Sequence, residues 1–181
     1  MIYAFTGLRS EEVKGLMWED WKTGWKDYPG EVLDIQRAVV YGEVVETKTL
    51  YSKAPVPIIE TVRKALQAHL KANSGEGYIF HGDTGQPLRF ENFARRDIIP
   101  YLKKAGIEWH GFHAFRRGLD TTLKDLGVDK STRVDIMRHT PEDVTDKHYG
   151  KASLKRMREA LEKLETKYER IKIDAAARRS E

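Results

Sequence analysis

The sequence has 181 residues, 40% of them hydrophobic, which is enough for one domain or a domain with an appendage and too apolar for a disordered chain. The absence of cysteine excludes disulfides, thiol chemistry and cysteine-ligated zinc, and the lack of a signal peptide or bilayer-length apolar run predicts a soluble intracellular protein. The segment from Lys151 holds ten Lys/Arg against six Asp/Glu and so carries the whole net charge of +4. Residues 1–150 are therefore neutral overall, and they would bind a polyanion only where their basic side chains converge in space.

The first predicted element is a short helix near the start of the chain. Val13, Leu16 and Met17 form its apolar stripe, and Ser10 is the predicted N-cap. The preceding MIYAF resembles the end of an element that begins further upstream. We therefore expect a chain that was cut from a longer parent or shortened in its gene.

A β-hairpin is predicted next. The segment EVLDIQRAVVYGEVVETKT is rich in residues that favour strands, and Tyr41-Gly42 supplies the turn. The following YSKAPVPI can add a short third strand, which its two prolines confine to an edge or an end.

The rest of the chain predicts helices. Apolar residues at helical spacing mark one from Ile59 to about Asn73, one across ENFARRDIIPYLKKAG with a bend near Pro100, one from Phe112 to Leu126, and one over KSTRVDIM. The fold class that follows is mainly α with a small antiparallel β-sheet (α+β).

The segment TPED predicts one further short helix. Thr140 is a good N-cap, Pro141 suits the first helical position, and two acids suit the positive end of the helix dipole. This helix can run about two turns before Tyr149-Gly150. Beyond it, steps of three and four from Leu154 to Ile171 form a narrow apolar seam that is typical of a helix docked on another helix or in a groove.

Several polar residues are candidates for chemistry, and each has an ordinary structural explanation. His113 and Arg116 share a helix face, but alone they fit a capping histidine and a solvated arginine. Arg9 at a helix start opposes the dipole and needs either a carboxylate such as Glu12 or an anionic ligand. Lys48 fits the protection of a strand edge equally well.

The histidines do not form a convincing metal site. His139 precedes the Thr140 cap and can simply satisfy backbone groups. His110 and His113 lack a third histidine or carboxylate at a ligand spacing, so we predict no metal.

The order of these pieces resembles the catalytic domain of the tyrosine recombinases (phage integrases). The matching pieces, which span residues 6–149, are TGLRSEEVKGLMWED, TKT on a hairpin, HAFRR, and MRH with a tyrosine ten residues later. Glu12 matches the acidic residue that follows the family's first arginine. Two positions depart from the family pattern: Arg117 replaces a frequent second histidine, and Arg138 replaces the glycine before the last histidine.

The resemblance implies a set of catalytic residues and a metal-free, cofactor-free reaction. The implied residues are Arg9, Lys48, His113, Arg116, His139 and the nucleophile Tyr149, with Lys53 left open as an alternative to Lys48. The implied activity is site-specific cleavage and rejoining of DNA through a 3′-phosphotyrosine. A type IB topoisomerase-like nicking-closing enzyme and an inactive DNA-binding relic are the alternatives.

The resemblance also implies an organisation and partners. Residues 1–150 would be the catalytic domain without the family's N-terminal DNA-clamping domain. Residues 151–181 would be a C-terminal helix and tail that dock in cis or in trans. The expected partners are double-stranded DNA and further copies of the chain, as a tetramer on DNA and a monomer in solution. We expect no membrane association and a cytoplasmic, nucleoid-associated location in a bacterial, archaeal or phage-encoded system.

Overall fold

A computed structural model describes residues 1–46, 53–139 and 150–178. The helices are α1 (Ile2–Thr6), α2 (Ser10–Gly15), α3 (Glu60–Leu70), α4 (Phe90–Phe93), α5 (Ile99–Lys104), α6 (His113–Asp125), α7 (Lys130–Met137) and α8 (Lys151–Ala177). The strands are β1 (Trp21–Thr23), β2 (Glu31–Leu33), β3 (Arg37–Val40), β4 (Glu43–Glu46) and β5 (Val56–Pro57). The predicted fold class, mainly α with a small antiparallel component, is confirmed.

The strands form two small antiparallel sheets rather than the single one expected. β3 and β4 make the predicted hairpin around Tyr41-Gly42, with Val40 opposite Glu43. The proline-containing β5 lies at a sheet edge as predicted, but it pairs with β2 in a three-stranded sheet of order β1-β2-β5. The N–H of Asp34 donates to the carbonyl of Asp20 at 2.8 Å and extends the pairing of β1 with β2, and β3 begins three residues later at Arg37.

The N-terminus of α2 differs from the prediction by one residue. Arg9, not Ser10, is the N-cap, with extended φ of −74° and ψ of 156°. The carboxylate of Glu12 accepts the Arg9 backbone N–H at 2.6 Å, so it satisfies a donor that a helix start leaves free. Ser10 is the first helical residue, and its hydroxyl lies 3.2 Å from the Tyr3 hydroxyl.

The predicted bend near Pro100 takes the form of a π-helical segment. Residues Ala94–Ile98 are wound as a π-helix between α4 and α5, just before the proline. Proline lacks an N–H and its ring presses on the preceding turn, so the wider π-turn relieves both conflicts.

The core lies where α8 crosses the rest of the domain. Leu154, Met157 and Leu161 are fully buried, and α8 packs on α7, α6, α1 and β5 of the same chain. The apolar seam does not reach its expected end, since Ile171 is 55% exposed. Among the described helices, α8 included, none combines the length and the apolar character that crossing a bilayer requires.

Candidate active site

Arg116 is the buried cation at the centre of the candidate site. It lies on α6, one turn after His113, and is only 4% exposed. Its Nη1 donates to the carbonyl of Gly7 and its Nη2 to the carbonyl of Met137. One guanidinium therefore joins the end of α1 to the end of α7, and its forked geometry is what allows both bonds.

Gly7 makes this approach possible. It ends α1 in the left-handed conformation, with φ of 65°. A Cβ at this position would lie 3.1 Å from the carbonyl oxygen of Ile136. A residue without a side chain is thus required both by the backbone angle and by the contact with α7.

Arg9 lies two residues further on, beside Glu12. Its Nη1 is 3.1 Å from Glu12 Oε1, and its side chain is 39% exposed. Glu12 itself is buried at 3% exposure. The pairing leaves part of the Arg9 guanidinium open to solvent and therefore to an anion.

Arg138 is the member of the cluster that the sequence did not assign to the site. It ends α7 in the left-handed conformation, with φ of 49° and ψ of 43°, and its side chain is 0% exposed. Its Nη2 donates to Oε2 of Glu12. The tyrosine recombinases usually carry glycine at this position, and glycine readily adopts such backbone angles. The backbone of Arg138 therefore fits the family pattern, whereas its side chain departs from it.

The pKa values of these groups reflect their mutual field. Burial, together with the charges of Arg9 and Arg138, lowers the pKa of Arg116 to about 10, against the opposing effect of Glu12 and Asp120. Arg116 therefore remains charged at neutral pH. Burial alone would raise the pKa of Glu12, but the charge and hydrogen bond of Arg138, followed by the contacts of Arg9, outweigh it and lower that pKa.

His139 follows Arg138 directly and lies in the same field. Its side chain is largely exposed, yet its partial burial and the charges of Arg116 and Arg9 lower its pKa below the ordinary 6.5. At neutral pH the ring is thus neutral, with one nitrogen that donates and one that accepts.

The other predicted site residues are less closely defined. His113 is exposed at the first position of α6. Lys48 and Tyr149 fall outside the described residues. Lys53, the alternative to Lys48, is described, and its Nζ lies 3.5 Å from Glu46 Oε2 in an exposed ion pair.

Asp135 connects the two helices that flank residues 140–149. This buried carboxylate of α7 accepts a hydrogen bond from Ser153 Oγ at 3.1 Å and lies 3.9 Å from Nη2 of Arg156, both on α8. The His139 end and the Gly150 end of that segment are thereby attached to one packed unit.

The arrangement suits a phosphate better than a metal ion. Three guanidinium groups and one carboxylate leave an excess of two positive charges, and forked donors match phosphate oxygens. In the ranges 1–46, 53–139 and 150–178 no three histidine, cysteine, aspartate or glutamate side chains come together as metal ligands would.

Comparison with known proteins shows the same kind of domain. A curated protein described as tyrosine recombinase XerC-like, from Caldanaerobacter subterraneus subsp. tengcongensis, is 26% identical over 186 residues, which cover 88% of this chain and 46% of that protein. The Tn1549 transposon integrase in complex with circular intermediate DNA matches with a TM-score of 0.63 at 22% identity, over 77% of this chain and 50% of that one. XerA recombinase matches with a TM-score of 0.55 at 18% identity, over 92% and 55%. No protein-family model matches the sequence.

The fold of this chain is the one found in the Tn1549 integrase and XerA recombinase structures. The solved structures establish the fold, and the curated relative adds a likeness in sequence. Together they support a tyrosine recombinase family domain, as the motifs predicted. The chain spans about half the length of these relatives.

Proposed function

We propose that this chain is the catalytic domain of a site-specific DNA recombinase that cleaves and rejoins strands through a 3′-phosphotyrosine. The observation that carries the proposal is the convergence of Arg9 and Arg116, from positions 107 residues apart in sequence, in one electrostatic field with His139. The field is the one that a phosphodiester transition state requires, because negative charge builds on its non-bridging oxygens.

The chemistry explains why so many cations are needed. A tyrosine hydroxyl is only about 0.1% ionised at pH 7, which is a handicap of roughly 4 kcal/mol for its attack. Without a metal ion, side chains must stabilise the charge. Arginines remain protonated even in a buried site, as the value of about 10 for the pKa of Arg116 illustrates.

The proposed reaction has two transfers that balance. The oxygen of Tyr149 attacks phosphorus, the bond from phosphorus to the 5′ oxygen breaks, and His113 assists removal of the phenolic proton. Lys48, or Lys53 in its place, gives a proton to the leaving 5′ oxygen. A second 5′ hydroxyl then attacks the phosphotyrosine and releases the tyrosine, so no cofactor is consumed.

Arg9 and Arg116 have different parts in this scheme. Arg9 is partly exposed and offers direct contact to a non-bridging oxygen. Arg116 donates one N–H of Nη1 to the carbonyl of Gly7 and one N–H of Nη2 to the carbonyl of Met137. We propose that its remaining N–H groups and its charge face the phosphate. His139, neutral at pH 7, donates one further hydrogen bond.

We further propose that the substrate is double-stranded DNA, since the Tn1549 integrase was solved with circular intermediate DNA. The expected assembly is a tetramer on DNA that is monomeric without it, and the expected location is the cytoplasm of a bacterial, archaeal or phage-infected cell. Sedimentation with and without duplex DNA tests the assembly, and a stable tetramer without DNA would contradict it.

The deciding experiment is covalent capture. The chain is incubated with nicked duplexes carrying randomised sequence, denatured in SDS, and any protein–DNA adduct is mapped by mass spectrometry. Tyr149→Phe should abolish the adduct and retain binding. Tyr101→Phe, a change at a tyrosine that is 74% exposed, is the matched control and should keep the adduct. An undiminished adduct in Tyr149→Phe would refute the nucleophile.

A topoisomerase-like activity is separable from recombination. Relaxation of a supercoiled plasmid without any selected target sequence would favour a nicking-closing enzyme. Adduct formation should also persist in EDTA, and its loss would support a metal-dependent reaction instead.

A further inference from the structure

Arg138 occupies a position that no catalytic role explains. Its backbone is left-handed, which is unfavourable for a residue other than glycine. Its side chain is 0% exposed. Among the described residues, its Nε and Nη1 are buried without a hydrogen-bond partner. A long cation held at such a cost is expected to have a specific contact that compensates, and that contact is Glu12.

The Glu12 carboxylate is shared between two arginines. Oε1 receives Arg9 Nη1 at 3.1 Å, while Oε2 receives both the Arg9 backbone N–H and Nη2 of Arg138. Arg138 is the fully buried partner, and Arg9 is the partly exposed one. Because one negative charge is divided between two cations, it neutralises Arg9 only in part.

Arg138 also adjoins the other members of the site through the backbone. The carbonyl of Met137, the residue before it, accepts the bond from Arg116. The left-handed turn at Arg138 ends α7, and the next residue is His139. Arg9, Arg116 and His139 are thus all connected to one residue, either directly through the chain or through Glu12.

We propose that Arg138 is a positioning residue that draws the Glu12 carboxylate partly away from Arg9 and so keeps the Arg9 guanidinium available to a phosphate. The inference rests on the proposed function, because that function supplies the phosphate. Its prediction is nevertheless independent of strand transfer. Removing the charge of Arg138 should make Glu12 compete with the phosphate for Arg9.

The experiment follows the side-chain Nε–H resonances of Arg9 and Arg116 by nitrogen-15 NMR during titration of the whole chain with inorganic phosphate. Arg138→Met keeps the apolar stem and removes the charge, and we expect its phosphate affinity at Arg9 to fall about fivefold. Arg138→Lys keeps the charge and should remain within about twofold of the original chain.

The double variant Glu12→Gln with Arg138→Met separates positioning from simple structural support. Glutamine no longer competes as an anion, so phosphate affinity at Arg9 should recover. Because the second change also removes a buried charge that has lost its partner, the free energy of unfolding of each variant is measured in parallel, so that recovered affinity is distinguished from recovered stability. An unchanged affinity in Arg138→Met, or no recovery in the double variant, would overturn the proposal.

Two further measurements keep the result decisive. If Arg138→Met does not fold, the phosphate titration is repeated with Arg138→Gly, because glycine also removes the charge and adopts the left-handed backbone without strain. If the original chain shows no phosphate-dependent shift at either arginine, the proposed function loses its anion site. The role of Arg138 is then decided by carbon-13 titration of Glu12, whose pKa must rise in Arg138→Met and stay low in Arg138→Lys; an unchanged value would overturn it.

Discussion

Glu12 and Arg138 lie 126 residues apart in sequence and form an ion pair in which both side chains are buried. Removing one partner of such a pair leaves the other charge without compensation, which costs far more than an exposed pair is worth. The stability of the domain and the geometry of the candidate site are therefore connected through a single contact.

Glu12→Ala should lower the free energy of unfolding by about 3–5 kcal/mol, because Arg138 would be left buried and unpaired. Urea denaturation followed by circular dichroism measures the change. The control is Glu169→Ala, which removes one partner of an exposed pair with Lys172 at 3.1 Å and should cost under about 1 kcal/mol. Equal losses in the two variants would contradict the importance of the buried pair.

Gly7→Ala should destabilise the chain by roughly 1–3 kcal/mol, since it adds a Cβ at positive φ and against the backbone of α7. Gly118→Ala, at an α6 position where a Cβ meets nothing within 4 Å, is the control and should be neutral or slightly stabilising. Thermal denaturation distinguishes them. A Gly7→Ala chain that melts no earlier than Gly118→Ala would show that the close approach of α1 to α7 is not required.

Arg116→Lys should reduce covalent adduct formation on the order of 100-fold, because a single ammonium cannot reach both carbonyls and also serve a phosphate. It should also cost about 1–3 kcal/mol of stability through the unsatisfied carbonyl of Gly7 or Met137. The neighbouring Arg117→Lys changes an exposed side chain and should retain both properties. Near-normal adduct yield in Arg116→Lys would remove this arginine from the mechanism.

His139 should titrate below its ordinary pKa of 6.5, which proton NMR of the ring can follow. The unfolded chain then binds this proton more readily than the folded chain, so the contribution of His139 to stability declines as pH falls through 6.5. Arg9→Gln should raise the pKa by removing a nearby charge. Arg63→Gln, which alters a distant pair with Glu60, should not move it. A midpoint of 6.5 or above in the original chain would contradict the proposed field.

The sequence predicted the elements that depend on local periodicity. The apolar spacing from Phe112 to Leu126 corresponds to α6, and Tyr41-Gly42 forms the turn of the β3–β4 hairpin. The pairing of β5 with β2 was missed, because strand partners are set by contacts between distant segments. Phe115, an apolar residue of that spacing, is nevertheless 42% exposed, with its ring 6.2 Å from the ring of Tyr3.

The candidate site was predictable to the extent that its residues lie in short motifs. Arg9, Arg116 and His139 lie in one electrostatic field, and their catalytic roles stay predictions. Lys48 and Tyr149 lie outside the described residues, so their roles stay predictions too. The role of Arg138 as the buried partner of Glu12 was not predicted from the sequence. An arginine at a position that usually holds glycine suggested only a disturbed backbone. The replacement of this glycine by a long cationic side chain was nonetheless the signal that could have identified Arg138 as part of the site.

The Arg116 guanidinium bonds to carbonyls at positions 7 and 137, so the segments around these two positions must meet before the cluster exists. A ribosome that has synthesised the chain only as far as residue 100 has made Arg9 but neither Arg116 nor Arg138. The proposed anion site would therefore form late, with completion of the fold, and a partly synthesised chain would not contain it.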